Sequence, residues 1–144
     1  MKDLPVKEIL APLAPETKPK ATAQVVSIAR FGLSGLIAVG FGETFPWGTM
    51  FVNITGCFII GFFATLTAPD GRLFVNGSTR QFIMTGFCGG YTTFSSFSLQ
   101  TLNLIRDGQI LQAGGNIAGS VTACMIAVWL GSVAATLLNQ MKGA

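Results

Sequence analysis

The chain has 144 residues, nine basic and six acidic, with a net charge of +3 and no histidine. A water-soluble domain carries about a quarter charged residues. The 10% found here excludes a soluble globular domain, a disordered chain and a nucleic-acid binder, and argues against a hydrolytic enzyme.

The position of the charges is more informative than their number. Eight fall in the first 30 residues, and the stretches 44–69, 81–105 and 108–141 carry none. Each is long enough for the roughly 20 apolar residues that a hydrocarbon core requires. The chain therefore reads as an all-α membrane protein with four transmembrane helices.

Residues 1–22 read as a polar, flexible tail. Four of the six prolines lie there, and no apolar run marks a secretory signal. Residues 23–138 form the expected four-helix transmembrane domain, and 139–144 a short C-terminal tail. The first span is expected over Ala23–Gly42, with Arg30 inside it. Its small residues Gly32, Ser34, Gly35 and Gly40 suit close helix contact. Glu43 and the Pro46-Trp47-Gly48 turn end it, with Trp47 at headgroup level. The second span is expected over Thr49–Ala68, ending at the turn signal Pro69-Asp70-Gly71. Arg72 and Arg80 flank the loop that follows.

The third charge-free stretch is irregular. Gln81–Tyr91 reads as one half-helix and Thr92–Arg106 as a second. Between them Gly89 and Gly90 lie next to Thr92 and Thr93, a poor sequence for continuous helix. Non-helical backbone at membrane depth is tolerated only where protein or a wet cavity satisfies it. Freed carbonyls there suit a cation and freed N–H groups an anion. The alternative is a continuous helix thinned by glycine for packing. Asp107-Gly108 makes the next turn, and the fourth span is expected over Leu111–Leu138, with Gly115 and Gly119 spaced as a GxxxG pair.

With four spans, both termini and the 69–80 loop share one side of the membrane. That side carries Lys2, Lys7, Lys18, Lys20, Arg72, Arg80 and Lys142, against Arg106 on the other. The positive-inside rule then puts both termini in the cytoplasm.

Polar side chains inside lipid are expensive and therefore informative. Asn53 lies early in the second span, with Thr49 four residues before it on the same face. Asn116 and Ser120 repeat that spacing in the fourth span, and Cys124 continues the row. These two tracks line a wet path or act as interhelical glue. After the break, Phe94 and Phe97 share a face, with Ser95, Ser96 and Ser98 among them. Aromatic ring edges are positive, so edges turned into a narrow pore attract a small anion, and an Asn amide adds two N–H donors. No carboxylate lies inside a span, which argues against a proton-coupled cation carrier. Cys57, Cys88 and Cys124 fall one per charge-free stretch, without CxxC spacing, and read as small apolar packing residues.

The run Gly-Phe-Cys-Gly-Gly-Tyr-Thr-Thr-Phe-Ser-Ser-Phe-Ser, residues 86–98, resembles the signature of the Fluc (CrcB) fluoride channels. Pro46-Trp47-Gly48-Thr49 with Val52-Asn53 is similar to the start of that family's second span, and the likeness extends over about residues 24–138. The resemblance implies an antiparallel, dual-topology dimer with two pores along its interface. It implies that Phe94 and Phe97 line the pore, that Asn53 is the pore-mouth amide with Thr49 near it, and that Asn116 and Ser120 form a polar track. Ser95 and Ser96 also line the implied path. Gly89 and Thr92 would donate backbone carbonyls to a structural sodium ion on the dimer axis. Three features depart from the family pattern: polar residues 15–24 where an apolar run is usual, a strong charge bias, and Tyr91 at an often aliphatic position. The bias leaves open an inverted paralogue as partner in place of a second copy.

The leading expectation is passive fluoride export through an inner-membrane channel, which is not an enzyme. The alternative is a small proton-coupled multidrug exporter, for which Glu43 is the available glutamate. A third reading is a non-transporting assembly subunit, in which the polar tracks are only glue.

Overall fold

The computed structural model describes residues 17–42, 44–69 and 71–141. Within them the chain is helical apart from short connections. Helix α1 spans Thr17–Phe41, α2 Trp47–Leu66 and α3 Gly77–Gln81; a π-helical stretch, Phe82–Cys88, leads into α4, Gly89–Tyr91. Then come α5, Phe94–Arg106, and α6, Ile110–Gln140. Among the described residues three segments are long and apolar enough to cross a membrane: Gln24–Phe41 of α1, all of α2, and α6. The third expected span is divided, and neither half has that length.

Helix α1 begins at Thr17, inside the stretch read as tail. Pro19 falls in its first turn, where the missing N–H breaks no helical hydrogen bond. The remainder of the tail, residues 1–16, lies outside the described residues, as do Glu43, Asp70 and 142–144.

The interruption in the third element sits on the two threonines. Thr92 is extended (φ −75°, ψ 156°), and so is Thr93 (φ −147°, ψ 110°). Gly89 and Gly90 are helical, which shifts the break just beyond the glycines that flagged it in the sequence. The physical reason is capping. The Thr93 hydroxyl accepts the Ser96 N–H at 3.2 Å and starts α5 as its N-cap, a role Thr fills well because its oxygen replaces a missing helical acceptor. The preceding π-helical stretch is of a kind found frequently at functional sites.

Helices α2 and α6 form the most extensive contact of the fold. They run parallel and in step. A Cβ on Gly61 would strike the Val128 carbonyl, and one on Gly131 the Phe58 carbonyl, so both glycines allow backbone-to-backbone approach. One turn further on, the hydroxyls of Thr65 and Ser132 bond at 2.8 Å, and Asn139 Nδ2 donates to the Thr65 carbonyl at 3.3 Å. The Gly115–Gly119 pair gives no such backbone approach: nothing lies within 4 Å of a Cβ on Gly115, and one on Gly119 meets only the Met50 methyl of α2. We expect Gly131→Ala to destabilise the fold by about 1–3 kcal/mol through overpacking. Gly77→Ala, where nothing lies within 4 Å, should not. Thermal unfolding of the two variants in detergent checks the contrast.

The connection after α2 ties one end of the molecule together. Arg80 reaches back to the Thr67 hydroxyl at 3.2 Å and the Ala64 carbonyl at 3.3 Å, capping the negative end of α2. The Arg72 backbone N–H donates to Asn139 Oδ1 at 2.9 Å, and its guanidinium reaches the Leu138 carbonyl at 3.5 Å. The 71–80 segment and the C-terminal end of α6 therefore lie at the same end. Helix α1 is peripheral. It crosses α2 where Ser34 meets Gly48, and it leaves Phe31 81% and Val39 88% exposed. Trp47 packs its ring 4.6 Å from that of Phe45 at the opposite end of α2.

Candidate functional site

The break is held by Asn53. Its Oδ1 accepts the Thr93 N–H at 2.8 Å, and its Nδ2 donates to the Thr93 carbonyl at 3.2 Å. One carboxamide thus satisfies both backbone groups of the residue at which the helix fails. An unpaired amide group at membrane depth costs several kcal/mol, so this clamp permits non-helical backbone there. Among the described residues it leaves Asn53 one Nδ2–H uncommitted, since the side chain has two donors.

The same redirection frees carbonyls. In a continuous helix the Thr93 N–H would bond to Gly89 O, and the Ser96 N–H to Thr92 O. The first instead goes to Asn53 and the second to the Thr93 hydroxyl. Gly89 and Thr92 therefore lose their helical donors, while the Thr92 N–H and hydroxyl both remain on the Cys88 carbonyl at 3.0 Å. Both are neutral carbonyl oxygens, the ligand type that unwound membrane helices offer to cations.

Two cavities flank Thr93. The first, about 300 Å³, brings Asn53, Phe94, Phe97 and Ser120 together, with Cys57 and Cys124 also in its lining. The two rings stand 5.3 Å apart, tilted by 44°. Phe97 is 9% exposed, whereas Phe94, on the same cavity, is 77% exposed within its own chain. The second cavity, about 220 Å³, holds Arg30, Ser34, Thr49, Ser96 and Gln100. Thr49 and Asn53 share a helical face, yet Thr93 stands between them and borders both cavities. The structure thus separates Thr49 and Ser96 from the Asn53 group. It places Arg30 half-buried on the cavity with them.

Asn116 lines neither cavity. It is 1% exposed, accepts the Ser120 hydroxyl at 3.2 Å and donates to the Thr101 hydroxyl at 2.8 Å. Thr101 in turn donates to the Phe97 carbonyl at 2.8 Å. This buried relay ties α6 to the backbone beneath the Phe97 ring. Ser95 is exposed, with its hydroxyl 3.2 Å from that of Thr93.

Sequence reading missed Thr101, although its place one turn after Phe97 was a usable signal. It also missed the part of Thr93, and of Gly56, where a Cβ would strike the Thr92 methyl. We expect Thr101→Val, which keeps the shape and removes the hydroxyl, to leave the Asn116 amide unpaired. The expected loss is about 1–3 kcal/mol of stability, read by thermal unfolding in detergent.

Residues 21–132 match the model of one protein family, described as CrcB-like protein, Camphor Resistance (CrcB). The chain is also similar to a fluoride-specific ion channel FluC of Opitutus terrae, 64% identical over 117 residues, or 81% of this chain and 89% of the relative. A protein of the same name from Methylocella silvestris is 59% identical over 116 residues, 81% of this chain and 88% of the relative. One from Rhodospirillum rubrum is 60% identical over 114 residues, 79% and 88% of the two chains.

Proposed function

We infer that this chain, which belongs to the CrcB-like family, is a fluoride-specific ion channel of the membrane. It is an integral membrane protein, and three apolar helices give it the means to cross a bilayer. The comparisons favour this activity over the proton-coupled exporter, for which Glu43 lies outside the described residues.

The observation that carries the reading is the cavity in which a tilted Phe94–Phe97 pair meets the Asn53 carboxamide beside a broken helix. Fluoride is small and strongly hydrated, so a passage must replace its water with weak, successive partners. The uncommitted Asn53 N–H is one donor, and the positive ring edges supply others. Ser120 borders the same space but has its proton on Asn116, which leaves it a positioning part in this proposal. Ser95, Ser96 and Thr49 then belong to the approach and not to the ring pair. Binding that is weak at each step allows exit. Among the described residues no ionisable side chain lines this cavity apart from the two thiols, so the proposed flow is passive and follows the electrochemical gradient.

The finer arrangement is part of the proposal. The third element, Gly77–Arg106, makes the third of four crossings as two half-helices, so the transmembrane channel domain runs over 23–138. The exposure of Phe94 supports a pore completed by a second chain, a second copy or an inverted paralogue, in antiparallel dual topology. The large apolar side chains left exposed along α1 and α6, among them Leu111 at 90%, are compatible with contact to lipid and to that partner. The freed carbonyls of Gly89 and Thr92 fit a structural sodium ion, which would place a positive charge between two such breaks and tie the chains together. The arginines at the α2 and α6 C-termini support an inner-membrane orientation with that end, and with it both termini, in the cytoplasm.

The test is fluoride efflux from proteoliposomes with a chloride control. Fluoride should leave rapidly and chloride should be retained; equal leak of both anions would remove the selectivity that the geometry is proposed to provide.

A further inference from the structure

We propose that Cys57 and Cys124 form a binding site for a thiophilic, linearly coordinated divalent ion of the Hg(II) class, inside the cavity that holds Phe97. The proposed consequence is that the bound ion closes the passage.

The register of α2 and α6 puts the two thiols side by side. Gly61 meets Val128 and Thr65 meets Ser132 along the parallel seam. Cys57 and Cys124 are one turn earlier on each helix and fall opposite each other in that sequence of contacts. Both line the cavity with Asn53 and Phe97, and both are free thiols. Cys88, the third cysteine, is 2% exposed and is not part of the cavity wall.

The chemistry selects the ligand. Thiolate sulfur is soft and prefers soft metal ions over hard ones. Among the described residues no cluster of three His, Cys, Asp or Glu side chains could surround a metal ion, so a tetrahedral zinc site is not available. Two opposed sulfurs suit a linear ion. On binding, each S–H gives up its proton, two S–metal bonds form and two protons leave, with no electron transferred. A divalent ion held by two thiolates is neutral overall, which removes the penalty of placing net charge against an apolar wall. A monovalent ion in the same place would leave a net negative charge. The filled site lies beside Phe97 in a space of only about 300 Å³, and an ion there obstructs the route proposed for fluoride.

Closure rests on the channel reading; binding does not. The experiment therefore measures both on the purified full chain. Mercuric ion is added to protein in detergent and to proteoliposomes, free metal is removed, and bound metal and fluoride efflux are read separately. Each variant is compared with its own untreated rate. We expect one retained mercuric ion per chain, with a deep-ultraviolet thiolate-to-metal charge-transfer band. We also expect efflux slowed by about tenfold or more, because a pore conducts only if its sites release what they bind. A small dithiol should reverse both effects. Cys88→Ser should behave like the wild type, while Cys57→Ala and Cys124→Ala, each left with one thiol of the pair, should surrender the metal and the block to a wash with a small monothiol that the wild type withstands. Metal that withstands the monothiol wash in either of those variants, or that is lost to it in the wild type, overturns the site. Retention without slowing overturns closure. Retention in a protein that passes no fluoride when untreated keeps the site and rejects the channel reading.

Discussion

Replacing Asn53 with alanine should slow fluoride efflux by about a hundredfold, the kinetic equivalent of losing about 2–3 kcal/mol. The figure follows from what the side chain holds. Asn53 takes the Thr93 N–H at 2.8 Å and gives an N–H to the Thr93 carbonyl at 3.2 Å. Alanine leaves both groups without partners at membrane depth, where no bulk water replaces them. The break should then relax, displacing Phe94 and Phe97 one and four residues downstream. Stability should fall by a similar amount. Asn53→Asp separates the two roles. An ionised carboxylate still accepts the Thr93 N–H but cannot donate to its carbonyl, and it sets a negative charge beside the anion route. It should recover more of the melting temperature than of the flux. Efflux recorded with a fluoride electrode, alongside thermal unfolding in detergent, checks both variants. Wild-type flux in the alanine variant would mean that the clamp has no bearing on permeation.

The second large effect is expected at the ring pair. Phe94→Ile and Phe97→Ile should each slow fluoride efflux by about tenfold or more, because isoleucine fills part of the volume and has no positive edge. Their stabilities should differ. Phe97 is 9% exposed and its carbonyl anchors the Thr101–Asn116–Ser120 relay, so losing ring volume should cost about 1–2 kcal/mol. Phe94 is 77% exposed within its chain, and its replacement should leave the unfolding of the single chain nearly unchanged. A variant that melts like the wild type yet fails to conduct would assign the Phe94 ring to permeation and not to packing. Both variants passing fluoride at the wild-type rate would leave the aromatic pair as filler.

Much of the architecture is legible along the chain because the relevant penalty is local. A charged side chain in hydrocarbon is costly wherever it sits, so charge-free runs mark the apolar helices without knowledge of their neighbours. The weakness of the third element shows in the same way, because helix propensity acts over a few residues. Yet the glycines that signal it stay helical, and the break moves to Thr92–Thr93, where an N-cap hydroxyl competes with the backbone. The i, i+4 spacing of Thr49 with Asn53 gives a shared face correctly but implies a shared path, and Thr93 divides that path into two cavities.

By itself, then, the order of residues determined which segments are apolar helices and that the third stretch is interrupted, and it singled out the polar and aromatic side chains that the proposed path uses. Only the tertiary structure decided their partners: Asn53 with Thr93, 40 positions away, Asn116 with Thr101, 15 away, and Thr65 with Ser132, 67 away. Helical periodicity ranks the faces of one helix. It carries no term for how two helices slide or rotate against each other, and that choice is made by the close backbone approach at Gly61 and Gly131. The parallel register set there brings Asn53, Phe97, Ser120 and the two thiols around one space.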